Sequence, residues 1–303
     1  MSDARLAVGG DTAGGRGTMN RTDFRFSERL RVRWAEIDAQ KIVFNGHYLM
    51  YFDTAVAGYW RALAMPYAQT MEQLGGDLFV RKASVEYFSS ARYDDLLDIG
   101  LRCARIGNSS MLFSGGAFRG DELLVSCELV YVFADPHTQS SKPVPVELRA
   151  VFEGFEAGET MVETRVGSWV ELGAHARAIR TTVFIEEQRV PREMEWDEAD
   201  THCVHAVAFN RFGMPLATGR LLVAEAGVAR IGRMAVSQTQ RGGGVGRRVL
   251  EALMGEARRR GDREIVLHAQ TSARAFYERA GFSPCGPVFV EAGIPHIEMS
   301  RAL

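Results

Sequence analysis

A long apolar helix near the beginning of the chain limits how its first half can fold. The segment HYLMYFDTAVAGYWRALA, residues 47–64, carries five aromatic side chains: Tyr48, Tyr51, Phe52, Tyr59 and Trp60. A helix that is apolar around most of its circumference has to be largely buried. A strand-like segment precedes it at 24–34, and four more follow at 78–88, 96–107, 110–120 and 122–134. One long helix followed by an antiparallel meander predicts an α+β domain.

The second half of the chain alternates strands and helices instead. Helices are predicted at 175–188 and 245–260, and a short one is predicted between Ser272, its candidate cap, and Gly281. Strands are predicted at 204–210, 215–224, 229–237 and 263–270. The succession of strand, loop, helix, strand and helix predicts parallel strands within 228–282, and therefore an α/β domain.

The division between the two halves is predicted from residues 136–159, which contain three of the nine prolines. Such a segment is typical of the end of a domain and a linker. The first residues are rich in glycine and lack the apolar core of a signal peptide, so they predict a disordered leader. The predicted limits are a leader at 1–20, a first domain at 21–140, a linker at 141–160 and a second domain at 161–303.

Composition excludes several classes of function. The chain has 303 residues, which favours two domains, and a net charge of −2, which leaves no basic footprint for nucleic acid or for an acidic membrane. It contains no apolar run near 18 residues, so no membrane span is expected. The four cysteines, Cys103, Cys127, Cys203 and Cys285, are scattered. This spacing predicts a reduced, cytoplasmic protein without a zinc site.

A glycine-rich loop, QRGGGVGRR at 240–248, lies between a predicted strand and a predicted helix. Its spacing fits neither the Rossmann nor the Walker A pattern. Glycines nevertheless let successive backbone N–H groups converge on an anion, and the helix N-terminus adds positive potential. Arg247 and Arg248 in the first turn oppose the helix dipole, which an anionic ligand nearby would offset. A phosphate cradle and a flexible turn both remain open from the loop alone.

The surroundings of this loop resemble the GNAT-type N-acetyltransferases over residues 161–303, and the ElaA-like branch in particular. The motifs that carry the resemblance are VFIEEQRVPREMEWDEAD (183–200), IGRMAVS (231–237), HAQ (268–270), AFYERAGF (275–282) and GIPHIEM (293–299). The resemblance implies that the loop binds the pyrophosphate of acetyl-CoA through amides of residues 241–246, beside Arg247. These residues are Arg241, Gly242, Gly243, Gly244, Val245 and Gly246.

Further roles follow from the same resemblance. Met234, Ala235 and Val236 would pair with the pantetheine arm like an added strand. Tyr277 matches the family's usual general acid for the leaving thiolate, although a helix tyrosine packed on the sheet is the alternative. Gln270 stands where many members carry Asn.

No general base for acetyl transfer is evident in the sequence. Six carboxylates form an acidic segment with two histidines close behind it: Glu186, Glu187, Glu195, Asp197, Glu198, Asp200, His202 and His205. Such a segment can attract an amine substrate or be a solvated charge run, and the second reading is favoured. His296 is interpreted as structural.

The first domain has a candidate catalytic carboxylate, Asp38, just before the long helix. By position alone it is either an anion at a helix N-terminus or a base or nucleophile. The stretch D-A-Q-K-I-V-F-N-G-H-Y-L-M-Y-F-D, from residue 38, resembles the hotdog thioesterases of the 4-hydroxybenzoyl-CoA type over residues 21–135. The resemblance implies that Asp38 activates water or attacks a thioester whose carbonyl points at N–H groups of Gly46 to Tyr48.

Two positions depart from the hotdog pattern. Lys41 replaces the usual glycine after D-A-Q, and Asn45 stands where relatives often have His or Tyr. His47 either assists Asp38 or merely begins the helix. The resemblance also implies that the helix is wrapped by the sheet and that the protein is at least a homodimer.

Together these features predict an α+β hotdog domain followed by an α/β, mixed-sheet GNAT domain. The expected function is bifunctional: hydrolysis of an acyl-CoA and transfer of an acetyl group from acetyl-CoA to an amine, without a metal. The alternative is a sensor or assembly module in which one or both domains bind CoA without turnover.

Overall fold

The computed structural model describes residues 19–303, so the predicted leader lies almost entirely outside the described residues. Seven helices are found in this range: α1 (His47–Ala62), α2 (Tyr67–Leu74), α3 (Val146–Glu156), α4 (Trp169–Arg180), α5 (Arg192–Glu195), α6 (Val245–Arg260) and α7 (Arg274–Arg279). The strands are β1 (Phe26–Arg31), β2 (Asp77–Tyr87), β3 (Leu96–Ile106), β4 (Ser110–Arg119), β5 (Glu122–Ala134), β6 (Val162–Gly167), β7 (Val204–Asn210), β8 (Pro215–Glu225), β9 (Val228–Val236), β10 (Glu264–Gln270), β11 (Ser283–Glu291) and β12 (Ile294–Ala302).

The first five strands form one antiparallel sheet in the order β1-β3-β4-β5-β2, and α1 packs on it. Phe52 and Tyr59 of α1 are fully buried. Gly115 on β4 makes room for α1, because a Cβ there would lie 2.8 Å from the ring of Phe52. Tyr59 meets Phe113 of the same strand edge to face. The predicted α+β pattern of one helix and a meander is therefore present.

The predicted linker contains a packed helix, α3, which the sequence analysis missed. Four apolar side chains at helical spacing, Leu148, Val151, Phe152 and Phe155, are buried. Phe152 stacks on Tyr59, so α3 covers the far end of α1. The interpretation of 141–160 as a linker alone is therefore corrected: the prolines precede the helix, where they are tolerated, and do not interrupt it.

The last seven strands form a mixed sheet in the order β11-β12-β10-β9-β8-β7-β6. Its one parallel pair within the described residues is β9 with β10, as the sequence predicts. This pairing covers only three residues on each strand, ending at Arg230 and Val266. Beyond that point the two strands separate, and a gap opens in the middle of the sheet.

Two local predictions in this half need correction. The helix predicted at 175–188 is α4, which begins earlier, at Trp169, and continues into a π-helical turn at Thr181–Glu187. Ser272 does not cap α7, because Thr271–Ala273 forms a separate 3₁₀ turn and the cap position is Ala273. In the part of the chain that the structure describes, no helix is long and apolar enough to cross a membrane.

Candidate functional site

The glycine loop opens on a cavity of about 690 Å³ at the gap between β9 and β10. Most of the predicted residues of the second domain line it: Met234, Ala235, Val236, Arg241, Gly242, Gly244, Val245, Gly246, Arg247, Gln270 and Tyr277. Gly243 belongs to the loop but does not line the cavity. The fold therefore brings together residues that lie more than 40 positions apart in the sequence.

Two of the predicted amides are used inside the loop itself. The N–H of Arg241 donates to the carbonyl of Gln238 at 3.3 Å, and the N–H of Gly243 donates to that of Gln240, also at 3.3 Å. These bonds close the turn that leads into α6. The expectation that every amide of 241–246 faces the ligand is therefore too broad, and Arg241 and Gly243 shape the loop instead.

The remaining amides belong to the first turn of α6. The first N–H with a helical partner is that of Arg248, which donates to Gly244 O at 3.2 Å. Because the first turn of a helix lacks preceding carbonyls, the N–H groups of Val245, Gly246 and Arg247 have no backbone partner among the described residues. They lie at the positive end of the helix dipole, which makes this turn suitable for a phosphate.

The glycines of the loop serve two different purposes. Gly242 and Gly244 have φ of +82° and +81°, a left-handed conformation that side-chain-bearing residues adopt at a cost. Gly246 is instead needed for close packing, because a Cβ there would lie 2.9 Å from Cγ2 of Val236. The loop is thus tied to the end of β9.

The edge of β9 that faces the gap has no strand partner beyond Arg230 among the described residues. On its other edge, Ala235 pairs with Thr218 and Val236 with Ala217 of β8. A free strand edge offers alternating N–H and C=O groups to an extended ligand. The edge can therefore pair with an extended ligand that contains amide groups.

Two side-chain contacts hold the walls of the cavity together. Arg241 makes two hydrogen bonds of 2.6 Å to Glu187, which raise the pKa of the guanidinium and lower that of the carboxyl. Nε2 of Gln270 donates to Oε1 of Gln188 at 2.9 Å. Both contacts reach the segment after α4, so Arg241 and Gln270 position the far wall as well as lining the cavity.

Tyr277 on α7 is buried, and its hydroxyl makes no hydrogen bond within the described part of the chain. Burial raises the pKa of this phenol, so the group keeps its proton at neutral pH. A protonated hydroxyl without a partner in a cavity is suited to donate to a developing anion. Tyr277 also lines a second cavity, of about 480 Å³, on the other side of the gap.

The acidic segment is only partly solvated, which corrects the sequence-based interpretation. Glu195 and Asp200 are buried and bind Arg180, whose Nη1 lies 2.7 Å from Asp200. Arg220 binds Asp200 at 2.8 Å and Asp197 at 2.6 Å. These carboxylates therefore hold the strands and helices together and are not free to attract an amine.

The same cluster contains three potential metal ligands, Asp200, Cys203 and His205, whose donor atoms lie within 4.8 Å of one another. The carboxylate of Asp200 is already bound by two guanidinium groups. Nε2 of His205 donates to the backbone carbonyl of Asp200 at 2.8 Å. Such occupied donors beside two positive charges do not fit a cation.

In the first domain, Asp38 lines a cavity of about 400 Å³ with Tyr48, Tyr87 and Phe88. It lies in a short hairpin that is closed by a hydrogen bond from Asp38 N to Ile42 O, at 2.9 Å. One of its carboxylate oxygens accepts the N–H of Gln40 at 2.8 Å. The other oxygen remains available to a water molecule or a substrate.

The other predicted residues of this site are only partly brought together. Tyr48 is buried in the cavity wall, and its hydroxyl accepts the N–H of Ala91 at 3.0 Å. His47 packs against Phe44 and does not line the Asp38 cavity, nor does Gly46. The N–H of His47 donates to Phe44 O at 2.9 Å. In this conformation the side chain of His47 therefore does not reach the Asp38 cavity. The backbone N–H of His47 is also not free to bind a thioester carbonyl.

Sequence reasoning missed Glu36, which fixes the Asp38 hairpin. This carboxylate is buried and accepts the hydroxyl of Tyr51 at 2.7 Å and the N–H of Arg33, also at 2.7 Å. Burial opposes its ionisation, but the hydrogen bonds from Arg33 and Tyr51 outweigh it and lower the pKa of Glu36. The contact with Tyr51 attaches the hairpin to α1. In the sequence, the only sign of this role is that Glu36 lies two residues before Asp38.

Comparisons with known proteins agree with the two folds. The family described as Thioesterase superfamily matches residues 40–128, and the one described as Acetyltransferase (GNAT) domain matches residues 175–303. The uncharacterized N-acetyltransferase YjcF of Bacillus subtilis is 34% identical over 124 residues, which cover 41% of this chain and 87% of the relative. A protein of Aquifex aeolicus named as an esterase is 31% identical over 96 residues, which cover 32% of this chain and 74% of the relative.

Among solved structures, an acyl-CoA N-acyltransferase from Pseudomonas aeruginosa is 34% identical, with a TM-score of 0.42, and the match covers 46% of this chain and 99% of that one. The molecule is thus built from two domain types, a hotdog domain and an acetyltransferase domain. The chain belongs to the thioesterase superfamily through its first half and to the GNAT acetyltransferase family through its second half.

Proposed function

We propose that this chain is a bifunctional enzyme of CoA thioesters. Its first domain hydrolyses an acyl-CoA, and its second domain transfers an acetyl group from acetyl-CoA to an amine. The observation that carries the proposal is the cavity at the gap between β9 and β10. It combines unpaired amides at the start of α6, an open strand edge and the unpartnered hydroxyl of Tyr277.

In the second domain, the pyrophosphate of acetyl-CoA binds the amides of Val245, Gly246 and Arg247. The pantetheine arm extends along the open edge of β9 at 234–236, which directs the thioester toward Tyr277. When the amine attacks the thioester carbonyl, the C–S bond breaks and the sulfur takes the proton of Tyr277. Gly242 and Gly244 provide the turn, and Gln270 holds the opposite wall through Gln188.

In the first domain, Asp38 is the catalytic carboxylate. Its free oxygen either removes a proton from water or attacks the acyl carbon, and Tyr48 forms the wall beside it. His47 packs on Phe44 and is assigned no catalytic part. The proposed first domain covers 21–140 together with α3, which packs on α1, and the proposed second domain covers 161–303.

Acetyl-CoA affinity of Gly246→Ala tests the second domain. The added Cβ pushes α6 from β9, because it would lie 2.9 Å from Val236. We expect calorimetry to show a dissociation constant for acetyl-CoA that is at least tenfold larger, which corresponds to about 1.4 kcal/mol of lost binding free energy. Gly255→Ala on the same helix is the control, since a Cβ there meets nothing within 4 Å. If both variants bind acetyl-CoA equally well, the loop is not the pyrophosphate-binding site.

Thiol release from a panel of acyl-CoAs tests the first domain. Asp38→Asn should abolish hydrolysis and leave the acetyl-CoA affinity of the second domain unchanged. Asp121→Asn, in the exposed turn between β4 and β5, is the matched control and should hydrolyse at the original rate. Hydrolysis that persists in Asp38→Asn would exclude the role of this carboxylate.

A second candidate is an acyl-CoA-binding first domain without turnover. It is supported by the arrangement around Asp38, where one oxygen is bound to the amide of Gln40 and no histidine assists. Under this alternative, acyl-CoA binds in the Asp38 cavity, and the protein releases free CoA thiol from no acyl-CoA of the panel. The hydrolysis assay above separates the two.

We also propose a cytoplasmic homodimer. The four cysteines, Cys103, Cys127, Cys203 and Cys285, are free thiols, as expected in a reducing compartment. Strand β2 is an edge of the first sheet and exposes Phe79, Val80 and Tyr87. A long edge strand with apolar side chains is a natural place for a second copy to pair.

A further inference from the structure

The second cavity at the gap in the sheet contains a histidine that sequence analysis did not single out. His268 on β10 lines this cavity of about 480 Å³, together with Tyr277, Gln270, Glu291 and His296. Tyr277 and Gln270 also line the glycine-loop cavity. The two cavities therefore meet at the proposed acid, one on the side of the cofactor and the other on the opposite side.

His268 has two carboxylates, one on each ring nitrogen. Its Nδ1 lies 3.4 Å from Glu291 on β11, and its Nε2 lies 3.4 Å from Glu298 on β12. The ring meets Phe289 edge to face at 4.9 Å. Glu291 lines the cavity, so the Nδ1 side faces the open space.

The position of His268 on its strand points it toward the same region as Gln270. Residues two apart on a strand face the same side of the sheet and lie roughly 7 Å apart along it. Tyr277 lines the same cavity. An amine between His268 and Tyr277 would thus meet the base on one side and the thioester, with its acid, on the other.

Arg230 adds a feature that restricts the substrate. It lines the same cavity and pairs in register with Val266, two positions before His268. It is exposed and makes no ion pair within the described residues. From strand geometry its Cα lies roughly 8 Å from that of His268. A guanidinium at this distance repels a second cationic group and attracts an anionic one.

We propose that His268 is the general base of acetyl transfer, and that the acceptor is a small primary amine that carries an anionic group for Arg230. This proposal rests on the proposed acetyltransferase function. The ammonium form of the acceptor gives one proton to solvent on binding beside Glu291. The neutral amine then attacks the acetyl carbon, and His268 takes the proton released from nitrogen. The C–S bond breaks, and Tyr277 protonates the thiolate. Proton exchange with water restores His268 and Tyr277.

Amine-dependent thiol release from acetyl-CoA tests both parts, with hexylamine, 6-aminohexanoate and 1,6-diaminohexane as probes of equal length. We expect 6-aminohexanoate to have the highest kcat/KM and the diamine the lowest. His268→Gln should lower kcat about 100-fold, while the KM for acetyl-CoA stays unchanged. Arg230→Gln should lower kcat/KM for 6-aminohexanoate about tenfold and leave that for hexylamine unchanged. Arg258→Gln, at an exposed position on α6, is the control.

The outcomes separate the two levels of the proposal. If the wild type releases thiol and His268→Gln keeps its kcat, His268 is not the base, although the transferase function stands. If Arg230→Gln affects all three amines equally, the anionic group is excluded. If no probe stimulates thiol release although acetyl-CoA binds, the transferase function fails, and the role of His268 with it.

Discussion

Lys41, a position that departs from the hotdog pattern, has a left-handed backbone conformation. Its φ is +61°, in the left-handed region that costs side-chain-bearing residues roughly 1–2 kcal/mol. Lys41→Gly should raise the free energy of unfolding by about 1 kcal/mol, since part of the gain is offset by the greater freedom of glycine in the unfolded chain. Chemical denaturation checks it. Lys41→Ala removes the charge but keeps the strained backbone, so its free energy of unfolding should not rise. An equal rise in Lys41→Ala would show that the charge, and not the backbone, causes the effect.

Tyr277 is the residue at which burial has the clearest chemical consequence. Burial raises the pKa of its phenol, so the hydroxyl stays protonated through the alkaline range of an assay. Tyr277→Phe should lower kcat for acetyl transfer about 100-fold, with unchanged acetyl-CoA affinity, because the ring still packs and only the acid is lost. Between pH 7 and 9 the wild-type rate should not fall through loss of the Tyr277 proton, so the pH profiles of the wild type and the variant should have the same shape in this range. A variant with full kcat would reduce Tyr277 to a packing role.

At this scale the sequence predicted the glycine loop, Tyr277 and Asp38 because short local motifs contain them. It does not predict the proposed role of His268, because the HAQ motif alone assigns this residue no chemistry and its partners Glu291 and Glu298 come from other strands. The part of His47 was left open by the motif. In the structure its side chain contacts Phe44 and does not line the Asp38 cavity, which the sequence does not reveal.

The elements of the second domain are joined by a buried charge network. Arg180 of α4 contacts Glu195 of α5 and the 3₁₀ turn at Asp200, and Arg220 of β8 reaches the same turn. Trp196 covers the guanidinium of Arg180, whose central carbon lies 4.7 Å from the ring centroid. The partners lie 15 to 23 residues apart in the sequence, with no periodicity to relate them. This is why the acidic segment was interpreted as largely solvated.

Removing one member of this network should be severely destabilising. Arg180→Met leaves Glu195 buried without its strongest partner, and breaking a buried pair costs about 3–5 kcal/mol. Thermal and chemical unfolding of the second domain measure the change. Arg165→Met, which breaks the exposed pair with Glu163, is the matched control and should unfold like the wild type. If both variants unfold alike, the network contributes nothing beyond a surface pair.

His205 gives the same region a dependence on pH. Burial lowers the pKa of His205, so the folded chain keeps it neutral, whereas the unfolded chain protonates it below about pH 6.5. The unfolded state therefore binds more protons as pH falls, and stability is lost from pH 6.5 downward by up to about 1.4 kcal/mol per pH unit. In His205→Gln the melting temperature should fall less between pH 7 and 5. His137→Gln, in an exposed loop, should retain the wild-type dependence, and an identical slope in both variants would exclude His205.

Helices and strands were predictable where the apolar period was long and uninterrupted, as in α1, α6 and β2 to β5. The missed helix α3 carries a regular stripe, Leu148, Val151, Phe152 and Phe155, but three nearby prolines suggested a linker. Strands β11 and β12 were missed because β11 contains two prolines and a glycine and is mostly exposed. Their place is decided by pairing with β10, which is tertiary information.

At the scale of the whole molecule, contacts tie the two domains together. Nδ2 of Asn210, at the end of β7, donates to the carbonyl of Ala64 after α1 at 3.1 Å. Arg211 binds Glu159 at 2.7 Å and Thr160 O at 2.8 Å. Because α3 and these contacts leave little free chain between the sheets, the chain holds the Asp38 cavity and the glycine-loop cavity on one body. Such an arrangement keeps both domains present at a fixed ratio and high effective concentration.

The unpaired edge at β2 is the remaining large feature of the whole molecule, and Val80→Lys tests it. Val80 is 57% exposed on this edge. A lysine there adds a charge to an apolar strand edge, which is a common way to prevent edge pairing. We expect light scattering to show a dimer for the wild type and a monomer of half that mass for Val80→Lys. Val170→Lys, at a position on α4 that is 95% exposed, should remain dimeric.

If the catalytic groups of one Asp38 cavity depend on the second copy, acyl-CoA hydrolysis should fall together with the dimer, while acetyl-CoA affinity of the second domain stays the same. A variant that remains dimeric would exclude this edge as the interface.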